Sequence, residues 1–322
     1  MTPRAWPAIL AAVAVGVQVG AATVASRAVV AEVGPATLAL LRYAIGACCL
    51  LPFFLAAPRV RFQGRDLAAV AALGIGQFGI LVALLNFGLL QVTSARAALL
   101  FATFPLMTML LAAALGRERL TVAKSPGVAL SFAGVGLALL DKLAIEAAAE
   151  GAWVGVAAVL GSALTGAVCS VLYRPYLQKY PTLPVSTVAM IASVFFLALL
   201  AVPEGALETV PRLGPGAWAA ILFIGVSSGI AYFGWLWALG RLPPTQVTVF
   251  LSLSPVTAAL LGALLLGETL SPLTLAGLAA VVAGLVVAFA RLRGSRTSGG
   301  RAPGSRGRAG RSGARDSAPR GG

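Results

Sequence analysis

Residues 97–120 read AALLFATFPLMTMLLAAALGRERL, and residues 247–270, which lie 150 positions later, read VTVFLSLSPVTAALLGALLLGETL. Aligned without a gap, Pro105 falls on Pro255, Glu118 on Glu268, Leu110-Leu111 on Leu260-Leu261 and Leu120 on Leu270. The register continues past the quoted stretch, with Gly127 on Gly277 and Gly134 on Gly284. Leu and Gly coincidences are frequent in so biased a composition, but Pro and Glu are scarce in it, and both coincide in one register. Such self-similarity at a fixed distance marks a chain made of two copies of one unit.

Each copy reads as a set of membrane spans. Hydrophobic residues make up 59% of the 322 and charged residues 11%, with a mean hydropathy of +0.94. A soluble domain carries about a quarter charged residues, and could not hide this much apolar surface. A helix needs about twenty apolar residues to cross the hydrocarbon. Spans are predicted near residues 7–27, 35–56, 67–90, 95–115 and 122–140, then near 151–173, 184–202, 216–239, 245–266 and 272–291.

The segment 141–150 carries Asp141, Lys142, Glu146 and Glu150 and reads as a solvated linker. The predicted fold is an all-α membrane protein of ten transmembrane helices: a five-helix repeat in 1–140, the linker, a second in 151–291, and a basic tail in 292–322. Five is odd, so the second copy enters the membrane from the other side, which makes the pair inverted-topology repeats. Arg4 and the Val24-Ala25-Ser26 stretch resemble a signal peptide and its cleavage site. The apolar run is long for that role, and losing it would break the repeat, so the first span is read as retained.

The net charge of +14 points at first to nucleic acid, but nine of the twenty-four basic residues lie between Arg291 and Arg320. That tail is almost only Gly, Arg, Ser, Ala and Pro, a composition expected to stay disordered and to meet anionic lipid rather than nucleic acid. The loops at one end collect Arg59, Arg61, Arg65, Arg117, Arg119, Lys124, Arg174, Lys179 and Arg241, while the other end is mostly acidic. By the positive-inside rule both termini are expected in the cytoplasm. Abundant Ala, Gly and Arg suggest a bacterial cytoplasmic (inner) membrane.

Several kinds of chemistry are excluded. The chain has no histidine, so a His triad, His metal site or His proton relay cannot be built. Cys48, Cys49 and Cys169 all sit in apolar runs, no Walker A motif is present, and no nucleophile with a base stands at membrane depth. No cofactor or metal is expected. A non-transporting sensor or scaffold remains as an alternative because it needs no chemistry, and a membrane-embedded enzyme is a weaker one.

The stretches Ala97-Ala98-Leu99, Phe104-Pro105-Leu106 and Gly116-Arg117-Glu118-Arg119-Leu120 resemble the EamA domain of the drug/metabolite transporter superfamily. So do Leu253-Ser254-Pro255-Val256, Leu266-Gly267-Glu268-Thr269-Leu270, and Gly34-Pro35 followed by Arg42. The resemblance covers residues 7 to 291. It implies a five-plus-five bundle that transports a small metabolite or drug-like compound, commonly outward, and it leaves the substrate, a coupling ion and homodimer formation open. The first span lacks the Trp and Asn/Lys features that many members show there.

Inverted repeats place a substrate site near the midplane between halves. Polar residues halfway along spans are therefore candidates: Gln18, Gln77, Thr103, Ser162, Ser227 and Ser254. Gln77 and Ser227 are related by the 150-residue shift and form the leading pair. Arg42 lies too deep in its span for an ordinary loop charge, and either attracts an anion or bonds protein. Tyr232 and Trp235 are candidates for an apolar wall. Pro105 and Pro255 fall mid-span, where each would free the carbonyl of Phe101 or Leu251 and kink the helix. Glu118 and Glu268 read either as proton-coupling sites or as caps of the helices that follow them. Gly16 and Gly20, four apart, read as a packing face.

Overall fold

The computed structural model of the chain describes residues 6–117 and 152–268, together with 130, 133–134, 272–273, 275–280 and 283–284. Glu118, the linker and the tail lie outside the described residues, as does most of the predicted spans 122–140 and 272–291. Among the described residues there is no strand. Eight helical segments are long and apolar enough to cross a membrane. Spans one to four are Trp6–Val33, Pro35–Ala56, Gly64–Gln91 and Ser94–Ala114, and spans six to nine are Trp153–Lys179, Thr182–Ala201, Pro215–Leu239 and Pro244–Leu266.

Spans one and six run on to Val33 and Lys179, beyond their predicted ends. An apolar-run reading stops at the first charge, whereas the helices continue through Arg27 and Arg174. The helices that carry them, Trp6–Val33 and Ala152–Lys179, have 28 residues each, about 42 Å at 1.5 Å per residue, more than the hydrocarbon needs.

Lipid removes the usual drive for apolar faces to meet, so small residues and polar contacts select the faces that pack. Accordingly Phe53, Phe195, Leu199 and Leu264 point outward, while Ser162, Ser170, Ser186, Thr187, Ser193 and Thr248 are buried. Threonines inside the bundle quench their hydroxyls on their own helix: Thr23 donates to the Val19 carbonyl and Thr108 to that of Phe104. Glycine sets the closest approaches. A Cβ at Gly16 would strike the Phe250 carbonyl, one at Gly20 would lie 2.5 Å from the Ser254 carbonyl, and one at Gly74 would strike the Ala189 backbone.

Contacts between the two halves occur in exchanged pairs. Span one packs on span eight, and span six packs on span three. Span two meets eight as seven meets three, and span one meets nine as six meets four. Two contacts map onto themselves, two with seven and four with nine. Spans four and nine run antiparallel, since Ser94–Phe101 lies on Ser254–Leu266 while Phe104–Ala114 lies on Pro244–Thr248. The pattern extends to residues. Gly79 abuts the Phe196 ring, and at positions shifted by 150, Gly229 abuts Gly46.

Three spans depart from regular α-helix. Span three carries a π turn at Ile75–Ile80. Span four is broken between Phe101 and Phe104, and span nine passes through a 3₁₀ stretch at Val249–Leu253. Pro105 and Pro255 stand in the first turn of the segments that resume, where a missing N–H leaves no gap. The Ser254 N–H takes up the Leu251 carbonyl.

Carboxylates tie one end of the bundle. Glu268 accepts from the Ser94 N–H at 3.1 Å and its hydroxyl at 2.6 Å, so it caps span four; the first residues of the helix that follows it lie outside the described residues. Glu204 likewise accepts from the N–H groups of Ala36 and Thr37 and from the Thr37 hydroxyl, capping span two. Both reach across from the other half, a partnership that sequence spacing could not indicate. At the opposite end Asp66 accepts from Lys179 Nζ at 2.5 Å and from the Tyr180 hydroxyl at 2.7 Å.

The tight seam between spans one and nine yields a test. Gly20→Val should lower the melting temperature in detergent, in line with an overpacking cost of about 1–3 kcal/mol. Gly216→Ala, with nothing within 4 Å of the added carbon, should leave it unchanged. Equal melting of the two variants would refute the close contact.

Candidate functional site

Span two enters the bundle with its register fixed. Pro35 opens it, Glu204 holds its first N–H groups, and Asn86 Nδ2 of span three donates to the Pro35 carbonyl at 3.0 Å. Two turns further on, this anchoring delivers Arg42 to the interior, where the residue is only 3% exposed. Its Nε donates to the Ser228 hydroxyl of span eight at 2.7 Å. The guanidinium carbon lies 5.7 Å from the ring centroids of both Tyr43 and Tyr232, within cation–π range. No described carboxylate pairs with it; the salt bridge between described residues is that of Lys179 with Asp66.

Around this charge lies an aromatic cluster. Tyr43, Phe78 and Tyr232 meet with centroids 4.9 to 5.5 Å apart. Phe104 bridges Phe101 at 5.3 Å and Trp235 at 6.0 Å. Between these groups runs a narrow cavity with about 20 Å³ open to the centre of a water molecule, room for about one water. Spans one to four, eight and nine wall it, and all three irregular stretches reach it, through Gln77, through Phe101 and Phe104, and through Leu251.

Most polar groups buried in proteins find a partner. Three on this wall do not: Ser26 Oγ, Gln77 Oε1 and Trp235 Nε1 have no protein hydrogen-bond partner. Gln77 sits within the π turn, an irregularity often found at functional positions.

The other predicted residues distribute unevenly. Arg42, Gln77, Tyr232 and Trp235 come together at the cavity. Gln18 does not line it; its Nε2 donates to Ser227 at 3.0 Å and to Ser228 at 3.2 Å, so it buttresses the hydroxyl that holds Arg42. No hydrogen bond joins Ser227 to Gln77, and Ser227 also donates to the Ile224 carbonyl. Thr103 donates to the Leu100 carbonyl at the break in span four. Ser162 is buried in span six, and Ser254 starts the resumed helix of span nine with its backbone against Gly20. Neither serine lines the cavity.

Sequence reasoning missed Ser26, Tyr43, Phe104 and Ser228. Three of these adjoin predicted residues, Tyr43 beside Arg42, Phe104 beside Thr103 and Ser228 beside Ser227. One step along a helix turns the side chain by about 100°, and helices that are apolar on every face give no phase to choose between neighbours.

The arrangement is that of a membrane transporter: an all-helical bundle of apolar spans around an internal cavity with unpaired polar groups. The EamA-like transporter family matches the chain twice, over residues 6–140 and 153–290, and the chain belongs to that family. An uncharacterised transporter of Archaeoglobus fulgidus is 27% identical over 232 residues, 71% of this chain and 79% of its own length. A probable terminal-alkyne amino-acid exporter of Streptantibioticus cattleyicolor is 32% identical over 210 residues, 62% of this chain and 66% of the relative. An uncharacterised transporter of Bacillus subtilis is 26% identical over 265 residues. One solved crystal structure covers 86% of this chain and 95% of its own at 24% identity, with a TM-score of 0.66, which establishes a shared fold.

An unpaired buried charge is a burden on folding that a binding site retains. Arg42→Met should therefore keep or raise the melting temperature, by an amount on the order of 1 kcal/mol in stability. A large drop would identify Arg42 as a structural tie instead.

Proposed function

We propose that the chain is a secondary carrier of ten spans, built as two inverted five-span repeats, which moves a small metabolite out of a bacterial cell by alternating access. The observation that carries this reading is the convergence of three irregular helical stretches on one cavity with unpaired polar groups. Continuous helices suffice to cross a membrane, whereas broken ones are tolerated where they line a cavity or are buried in protein. The exchanged packing between halves and the antiparallel crossing of spans four and nine support inversion. Two halves so arranged can rock about the cavity and open it to either side in turn. Export, rather than import, is favoured by the relative described as an amino-acid exporter.

Both ends are placed in the cytoplasm and the carboxylate-capped end outside, from the distribution of arginines. In a background lacking Cys48, Cys49 and Cys169, a cysteine at Gly64 should react only with reagents that reach the cytoplasm. One at Leu207, which is 81% exposed, should react from outside, and the opposite pattern would invert the topology.

Transport itself is tested with the purified full chain in sealed vesicles loaded with a mixed pool of bacterial metabolites. Saturable loss of particular compounds, accelerated by the same compound outside, is the expected signature of a carrier. Loss no faster than from protein-free vesicles would reject it.

A further inference from the structure

We propose that the cavity is a carboxylate site, so that the cargo is a small organic acid whose carboxylate pairs with Arg42 and whose apolar body lies against Tyr232, Phe104 and Trp235. The proposal rests on the carrier reading above and adds the chemical class of the cargo.

Arginine stays protonated in proteins, so burial cannot neutralise it. A cation at membrane depth normally finds an opposite charge or faces water. Arg42 is 3% exposed, and only its Nε is hydrogen-bonded, to a neutral serine. The two terminal nitrogens keep four N–H donors for a ligand, and a carboxylate takes two of them side by side. Gln18 strengthens the case, because it donates to the same Ser228 oxygen that Arg42 uses. That oxygen is saturated, and Ser228 has nothing further to offer the guanidinium.

The walls select within the anions. A single cation in a narrow aromatic cavity suits a singly charged head on an apolar body better than a doubly charged phosphate, which would leave one charge uncompensated. On the same cavity wall, Gln77 Oε1 can accept and Trp235 Nε1 can donate, and neither has a protein partner. The cargo therefore also carries a polar substituent able to meet them, such as a hydroxyl or amino group near the acid.

The test uses the full chain in detergent with matched probes: 3-phenylpropanoate, 4-methylpentanoate and their 2-hydroxy forms, the primary amide of each, and phenyl phosphate. The acids should raise the melting temperature, and the amides should bind about tenfold or more weakly, as expected when a charge-assisted hydrogen bond is lost. The 2-hydroxy acids should exceed the plain acids. Arg42→Lys should keep a reduced preference for acid over amide, and Arg42→Gln, checked for its own cooperative melting, should abolish it. Amides as effective as acids, no shift with any acid, a preference for phenyl phosphate, or an unchanged preference in Arg42→Gln would each overturn the site. Failure of the carrier reading looks different. In that case the acids would stabilise the protein yet show no saturable flux in vesicles, whereas saturable flux of the amides alone would keep the carrier and sink the carboxylate site.

Discussion

In hydrocarbon every backbone N–H and C=O must be satisfied within the protein, because no water is present to take its place. Long uninterrupted helices meet that constraint most simply, and spans one, two, six, seven and eight do so. Spans three, four and nine do not, and each repairs its irregularity locally. Thr103 bonds back to Leu100, the Ser254 N–H takes the Leu251 carbonyl, and the π turn passes back into α-helix at Leu81. These repairs are tenable because the irregular stretches are enclosed by neighbouring helices. Gly16 and Gly20 lay span one directly on the break of span nine, so the packing that shelters the break also forms a wall of the cavity.

The same logic governs Arg42. Its position follows from the N-terminus of span two, which a carboxylate from the other half grips by two backbone N–H groups and a hydroxyl. Helix caps of this kind contribute on the order of 1 kcal/mol each. Here the cap also sets the depth of a charge some two turns away. The site is thus assembled from both halves, with the cation from one and its tethering serine from the other.

Much of the helical architecture was legible in the sequence, because span length is imposed by the bilayer. Apolar runs located the eight described spans within a turn or two, and the Pro105 and Pro255 register pointed to the irregular stretches in spans four and nine. The candidate site was only partly legible. Arg42 and Gln77 stand out as polar residues in apolar helices, and Tyr232 and Trp235 as deep aromatics. Ser227 stands out equally, yet it faces Gln18 while Ser228 holds the arginine. Rotation about the helix axis decided between them, and helices surrounded by lipid and by equally apolar neighbours do not encode that rotation in a polar face. The partners of Glu204 and Glu268 lie 168 and 174 residues away and follow only from the assembled bundle.

The two related crossings, Gly46 with Gly229 and Phe196 with Gly79, differ in what separates the helices. In one, backbone meets backbone; in the other, a phenyl ring that can turn about its torsions fills the space. A perfectly duplicated and inverted machine would have two end states of equal energy, one open to each side of the membrane, and no preferred resting state. Each unmatched pair of this sort lifts that degeneracy. In the inverted arrangement proposed above, the glycine crossing and the aromatic one would not be interchangeable, and the two end states would then differ in energy.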